Sequence, residues 1–258
     1  MPHLTIDAHA HLTDAPSAAE LDAVLTRAAS ASVAAVVTAA ARRGDWEPIK
    51  LLTEASAAGR TSGVRIVGAL GVHPWYAATA APGWEDELQE GLARLDTPLI
   101  GEIGLDFGPK GLAAAPKESQ RELFAAQLRL ADETRRPIVV HACRTGGELF
   151  AAIRPFRRIP AVLVHGSVES VPREALSARF FFSFSAAQTA PGQRRGREAV
   201  RRLAALVPEQ IVPESDYPAG GREPSAVVET AAALEELGAR PGAAGARFSE
   251  IFDLFPST

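Results

Sequence analysis

The sequence predicts an α/β fold, a (β/α)8 TIM barrel, and three observations carry that expectation. Short apolar runs alternate with amphipathic stretches along the chain, as in a parallel sheet with crossover helices. Eight such runs occur, at residues 4–9, 33–39, 65–70, 98–103, 138–141, 161–165, 180–184 and 210–214. Six metal-capable side chains, His9, His11, Glu102, His141, His165 and Asp216, fall at or just after the ends of these runs. A barrel of parallel strands brings all its carboxyl ends to one rim, so this distribution fits a barrel active site.

The first run, Leu4-Thr5-Ile6-Asp7, follows Met1-Pro2-His3 directly and shows no basic start with an apolar stretch, so no signal peptide is expected. Between the runs, helices are predicted over 18–29, 47–58, 84–95, 117–134, 197–206 and 224–237, with Ser17 and Ser225 near starts and Gly59 and Gly238 near ends. The helix over 117–134 has the clearest pattern. Leu123, Phe124, Gln127, Leu128 and Ala131 recur at three- and four-residue spacing, and Pro137 stops continuation. The clusters Gly108-Pro109-Lys110-Gly111, Ala190-Pro191-Gly192 and Ala219-Gly220-Gly221 read as rim loops. No repeat, charge block or linker divides the chain, so residues 1–258 are expected to form a single domain.

The formal charge of -4 over 258 residues provides no overall basic field, so nucleic-acid contact would come from local Arg groups. The most basic stretch, Gln193-Arg194-Arg195-Gly196-Arg197 with Arg201 and Arg202, reads first as a solvated helix start. Cys143 is the only cysteine, which excludes an intrachain disulfide and a Cys-rich zinc site and suits a reducing, cytoplasmic setting. The Ala/Val run at 33–41 is too short to span a bilayer, so no membrane partner is expected.

In Asp7-Ala8-His9-Ala10-His11, strand alternation sends both imidazoles to one side, where they can grip one cation. Glu102, in Gly101-Glu102-Ile103-Gly104-Leu105-Asp106, can give one oxygen to each of two cations. The chain's lysines, Lys50, Lys110 and Lys117, lie on no predicted strand and so offer no carbamylated bridge, which leaves Glu102 as the only candidate for one. Asp216, beyond the eighth run, can bind metal and accept a proton from an attacking water. Glu214 can orient a ligating His or meet an Arg. Arg144, three residues past His141, and His73, in Gly71-Val72-His73-Pro74, are candidates to hold a phosphate.

Together, Ile6-Asp7-Ala8-His9-Ala10-His11-Leu12, Gly71-Val72-His73-Pro74, Gly101-Glu102-Ile103-Gly104-Leu105-Asp106, Val140-His141-Ala142-Cys143-Arg144, Val164-His165-Gly166 and Glu214-Ser215-Asp216 resemble the TatD family of metal-dependent deoxyribonucleases. The resemblance implies a TIM barrel of the amidohydrolase superfamily with two divalent cations (Mg, Zn or Mn). It implies hydrolysis of DNA phosphodiesters by a metal-activated water, as a 3′–5′ exonuclease acting on single-stranded ends. Carried onto this chain, His9, His11, Glu102 and Asp216 would hold the first cation, and Glu102, His141 and His165 the second. Two readings compete with it: a small-molecule hydrolase of the same superfamily acting on a phosphoester, lactone or amide, and a non-catalytic binding subunit of a larger assembly. A monomer is compatible with the sequence.

The chain departs from the family pattern at the rim. Gly166-Ser167-Val168-Glu169 replaces the usual Cys-Phe and small polar residue, Tyr217 follows Asp216, and the loop to Glu223-Pro224 is shorter and lacks the family's Asn. A short loop predicts an open rim with Tyr217 offered to a base for stacking.

Overall fold

The computed structural model describes residues 5–80, 82–95, 99–166 and 171–254. The expected strand starts at Leu4 and Pro98, and the Ser167-Val168-Glu169 departure, lie outside the described residues. Eight strands are present: β1 (Thr5–Ala10), β2 (Val33–Ala39), β3 (Arg65–Leu70), β4 (Leu99–Asp106), β5 (Ile138–Cys143), β6 (Val162–Gly166), β7 (Phe180–Phe184) and β8 (Ile211–Pro213). They neighbour one another in chain order in one sheet, with parallel pairing, and the fold is a (β/α)8 TIM barrel. The ends of β1 and β8 are joined by backbone bonds, His11 N–H donating to Tyr217 at 2.6 Å and Asp216 N–H to His9 at 3.0 Å.

Ten α-helices occur among the described residues: α1 (Ala18–Ser30), α2 (Trp46–Ala57), α3 (Trp84–Leu92), α4 (Pro109–Ala114), α5 (Lys117–Thr134), α6 (Glu148–Ile153), α7 (Ala186–Thr189), α8 (Arg194–Ala204), α9 (Val227–Glu236) and α10 (Pro241–Ile251). Ser17 caps α1 by accepting from the N–H of Glu20 at 3.2 Å. The segment from Gly108 to Gly111 is not the expected loop: Pro109 opens α4, where its fixed φ and missing donor suit the first turn. Helix α10 was masked in the sequence by glycines and alanines. It is held by Phe248 stacked on Phe252 at 4.1 Å between ring centroids, with Phe181 of β7 edge-on to both.

The chain forms two compact units, one of Met1–Thr38, Leu51–Val67 and Phe181–Thr258, the other of Ala39–Lys50 and Gly68–Phe180. In the first, an apolar cluster joins Ala10 and Leu12 to Val24, Leu25 and Ala28 of α1, Val36 of β2, and Val227 of α9. In the second, β4 is buried along its whole length, and α5 covers it with Leu123, Phe124, Leu128 and Ala131 buried. The same buried face of α5 carries two glutamines. Gln127 accepts from the N–H of Val72 at 2.8 Å and donates to its carbonyl at 3.1 Å, and Gln120 does the same for Asp106 at 2.8 and 2.9 Å. Each amide stands in for a neighbouring strand where the ladder has run out, so these buried backbone groups stay paired.

Candidate metal centre

The metal-capable residues do not all close their strands. β4 continues past Glu102 to Asp106 and β5 past His141 to Cys143, because Gly104, Leu105 and Asp106 pair with His141, Ala142 and Cys143. Glycine makes this possible: Gly104 has φ +135, and a Cβ there would collide with the carbonyl oxygen of His141. The register of β4 against β5 shifts between Ile100 and Ile103, and that of β1 against β2 between Asp7 and Ala10. Glu102 and His9 thus each lie in an irregularity, the feature by which strands re-aim a side chain at a site.

In the first unit, His9 is fully buried and its ring meets that of His11 edge-on, 4.8 Å between centroids. His9 Nε2 stands 3.9 Å from Asp216 Oδ1. Asp216 adopts a left-handed conformation, φ +51, which Asp tolerates better than most residues. Behind them lies a pair not anticipated from the sequence: the Ser215 hydroxyl donates to Asp7 Oδ2 at 2.5 Å, while the N–H groups of Ser215 and His9 donate to Asp7 Oδ1 at 2.9 and 3.3 Å. Burial pushes the Asp7 carboxyl up to about 8, against the pull of those bonds. Asp7 ties the β1 strand end to the Asp216 turn.

In the second unit, one oxygen of the buried Glu102 faces three imidazoles. His141 Nδ1 is 3.0 Å from Oε1, His165 Nε2 is 3.8 Å and His73 Nε2 is 3.9 Å away. Two nitrogen or oxygen ligands bound tetrahedrally at ~2.0–2.1 Å from one cation lie roughly 3.3 Å apart, so these spacings and donor types fit a divalent metal. His73, Glu102 and His141 form such a group. On its other side His141 Nε2 lies 3.4 Å from Asp106 Oδ2, and burial, which would lower the His141 pKa, is outweighed by Asp106 and Glu102, leaving it raised. Burial acts the opposite way on Asp106, yet bonds from His141, Trp75 and the Gly108 N–H hold its carboxyl well below the usual range.

His73, expected at a phosphate, stands beside Glu102 with its other ring nitrogen engaged. Its Nδ1 accepts the Trp75 backbone N–H at 3.2 Å. A neutral imidazole that accepts at Nδ1 carries its proton on Nε2, and a protonated Nε2 can donate to an anion but cannot ligate. Arg144 is exposed, with φ +54, directly after β5. The Tyr217 expectation needs correction: its side chain is 8% exposed and packs with Ala10, Leu12, Val24 and Val227 instead of standing open to a base. The apolar pocket under the Asp216 turn captures the ring. Tyr217→Ala is accordingly expected to cost about 2–4 kcal/mol, read as a lower denaturant midpoint. A selective rise in oligonucleotide KM with an unchanged midpoint would restore the stacking role.

A (β/α)8 barrel with clustered His and carboxylate groups is an arrangement suited to metal-dependent hydrolysis. The family described as TatD related DNase matches residues 6–246. The chain belongs to that family. It is 31% identical over 233 residues to human deoxyribonuclease TATDN3, covering 84% of this chain and 79% of the relative. It is also 31% identical over 221 residues to the 3'-5' ssDNA/RNA exonuclease TatD of Pantoea ananatis, covering 82% and 78%. Among solved structures, the TatD homologue YJJV of Escherichia coli matches with a TM-score of 0.81 at 24% identity, covering 98% of this chain and 99% of that one. No helix among the described residues is long and apolar enough to cross a membrane.

Proposed function

We propose that this chain is a single catalytic domain that hydrolyses DNA phosphodiesters, as a 3′–5′ exonuclease on single-stranded ends, with two divalent cations. The observation that carries the reading is the three-imidazole setting of the buried Glu102 oxygen, in a chain whose relatives include a deoxyribonuclease and a single-strand exonuclease. His9, His11, Glu102 and Asp216 would hold one cation, and Glu102, His141 and His165 the other. When bound, the cations, whether Mg, Zn or Mn, polarise the phosphoryl group and acidify the attacking water. Asp216 would accept the proton that this water loses, and Glu102 would supply a carboxylate oxygen to each ligand set. The His73 Nε2–H donates to a phosphate oxygen, and the Arg144 guanidinium neutralises the phosphate charge. A cytoplasmic monomer is the form in which we expect it to act.

The test is incubation of the metal-reconstituted protein with end-labelled single- and double-stranded DNA, beside a panel of phosphoesters and lactones. Shortening of single strands from the 3′ end is expected. No cleavage of any oligonucleotide with any divalent metal, together with turnover of a small ester, would replace this reading with the small-molecule one. Arg144→Ala should raise KM for DNA about tenfold, in line with a lost charge-assisted contact, with metal content unchanged. An equal loss on a neutral lactone would remove Arg144 from the phosphate.

A further inference from the structure

We propose that Trp75 is the platform on which a substrate nucleobase stacks, beside the phosphate that His73 holds; the inference rests on the nuclease reading above. The large apolar side chains that the described structure leaves exposed are Leu51, Trp75, Leu112, Leu206 and Val228. Trp75, 38% exposed, is the one ring among them, and the one that touches the site. Its indole N–H donates to Asp106 Oδ2 at 2.6 Å, and its ring stands edge-on to His73, 5.1 Å between centroids. Asp106 is itself fixed, accepting the Gly108 N–H at 2.8 Å and clamped along its backbone by Gln120.

Those contacts orient the indole before any ligand arrives, so little ordering is lost on binding. They also tie its polar edge inward. What remains for a ligand is apolar ring surface, which suits stacking on any base and gives no hydrogen-bond readout of base identity. The single imidazole of His73 separates the indole from Glu102, since His73 Nε2 lies 3.9 Å from Glu102 Oε1. A phosphate held by the His73 Nε2–H therefore puts its own nucleoside within reach of Trp75, whose ring is 5.1 Å from that imidazole. The site would take nucleotides in preference to bare phosphoesters, with little choice among the four bases.

The experiment measures kcat and KM for Trp75→Ala and Trp75→Phe on short single strands, intact or carrying one abasic position at each of the last three 3′ sites in turn. On intact strands Trp75→Ala should raise KM about tenfold, within the range of a lost base stack. One abasic position should erase most of that penalty, because there is no base left to stack. Trp75→Phe, which keeps a ring but loses the donor to Asp106, should recover most of the affinity. The proposal is overturned if the Trp75→Ala penalty is absent, if it is equal on intact and abasic strands, or if Trp75→Phe is as impaired as Trp75→Ala. Should the wild-type protein cleave no oligonucleotide, the nuclease reading falls and takes the stacking role with it; cleavage with an insensitive Trp75 removes the stacking role alone.

Discussion

Glu102→Ala is expected to lower kcat/KM by on the order of 1,000-fold or more, about 4 kcal/mol of lost transition-state stabilisation, while the protein remains folded. The carboxylate is 1% exposed, and His73, His141 and His165 converge on one of its oxygens. Without it, the imidazoles lose the one carboxylate that faces all three of them, and less negative charge is left to offset a bound cation, so metal content should fall with activity. The fold survives because the space opened is polar and can take water, and little buried apolar surface is lost. Glu102→Gln separates shape from charge: it fills the same space but offers one neutral oxygen in place of two charged ones. It should lose metal nearly as fully as the alanine variant. Metal analysis of the purified variants beside single-strand cleavage provides the check, and full metal content with wild-type turnover in Glu102→Ala would remove Glu102 from the site.

Most of the barrel was legible because its signals are local. The strands at Val33–Ala39, Arg65–Leu70 and Phe180–Phe184 and the helix at Lys117–Thr134 start and stop where apolar periodicity and proline or glycine place them. The extra residues of β4 and β5 were not, since the expected runs stop at residues 103 and 141, and Gly104-Leu105-Asp106 extends the strand only because the opposite strand fills the space that the missing side chain leaves. The ligand candidates were visible as residue types at strand ends, but their supports were not. Asp7 and Ser215 are 208 positions apart and meet through β1 and β8. Gln127 fell on the apolar stripe of α5 and passed for a core position, whereas its amide closes the backbone before His73. Tyr217 was misjudged for the converse reason, because a loop residue beside a candidate ligand reads as exposed until the underlying pocket is known. Side-chain burial depends on partners distant in sequence, and periodicity carries no information about them.

The same close approach of β4 to β5 makes Gly104→Ala the substitution with the largest expected effect on stability. At φ +135 an L side chain is strained whatever the space, and here the added Cβ also meets the His141 carbonyl oxygen and lies 2.9 Å from its amide nitrogen. Both obstacles are backbone, which cannot rotate aside as a flexible side chain would. The strained dihedral and the overpacking together should cost roughly 2–5 kcal/mol, or about 5–15 °C in Tm for a chain of this size. Gly44→Ala is the matched control, since a Cβ there has nothing within 4 Å and its φ is not positive; it should shift Tm by no more than about 2 °C. The effect must also reach the site. Pushing β5 away from β4 moves His141 off Glu102, so Gly104→Ala should bind metal more weakly even at temperatures where it is fully folded. Thermal melts of both variants, with metal titrations well below their midpoints, decide the matter: a Gly104→Ala protein that melts with the Gly44→Ala control would show that β4 and β5 do not meet through this glycine.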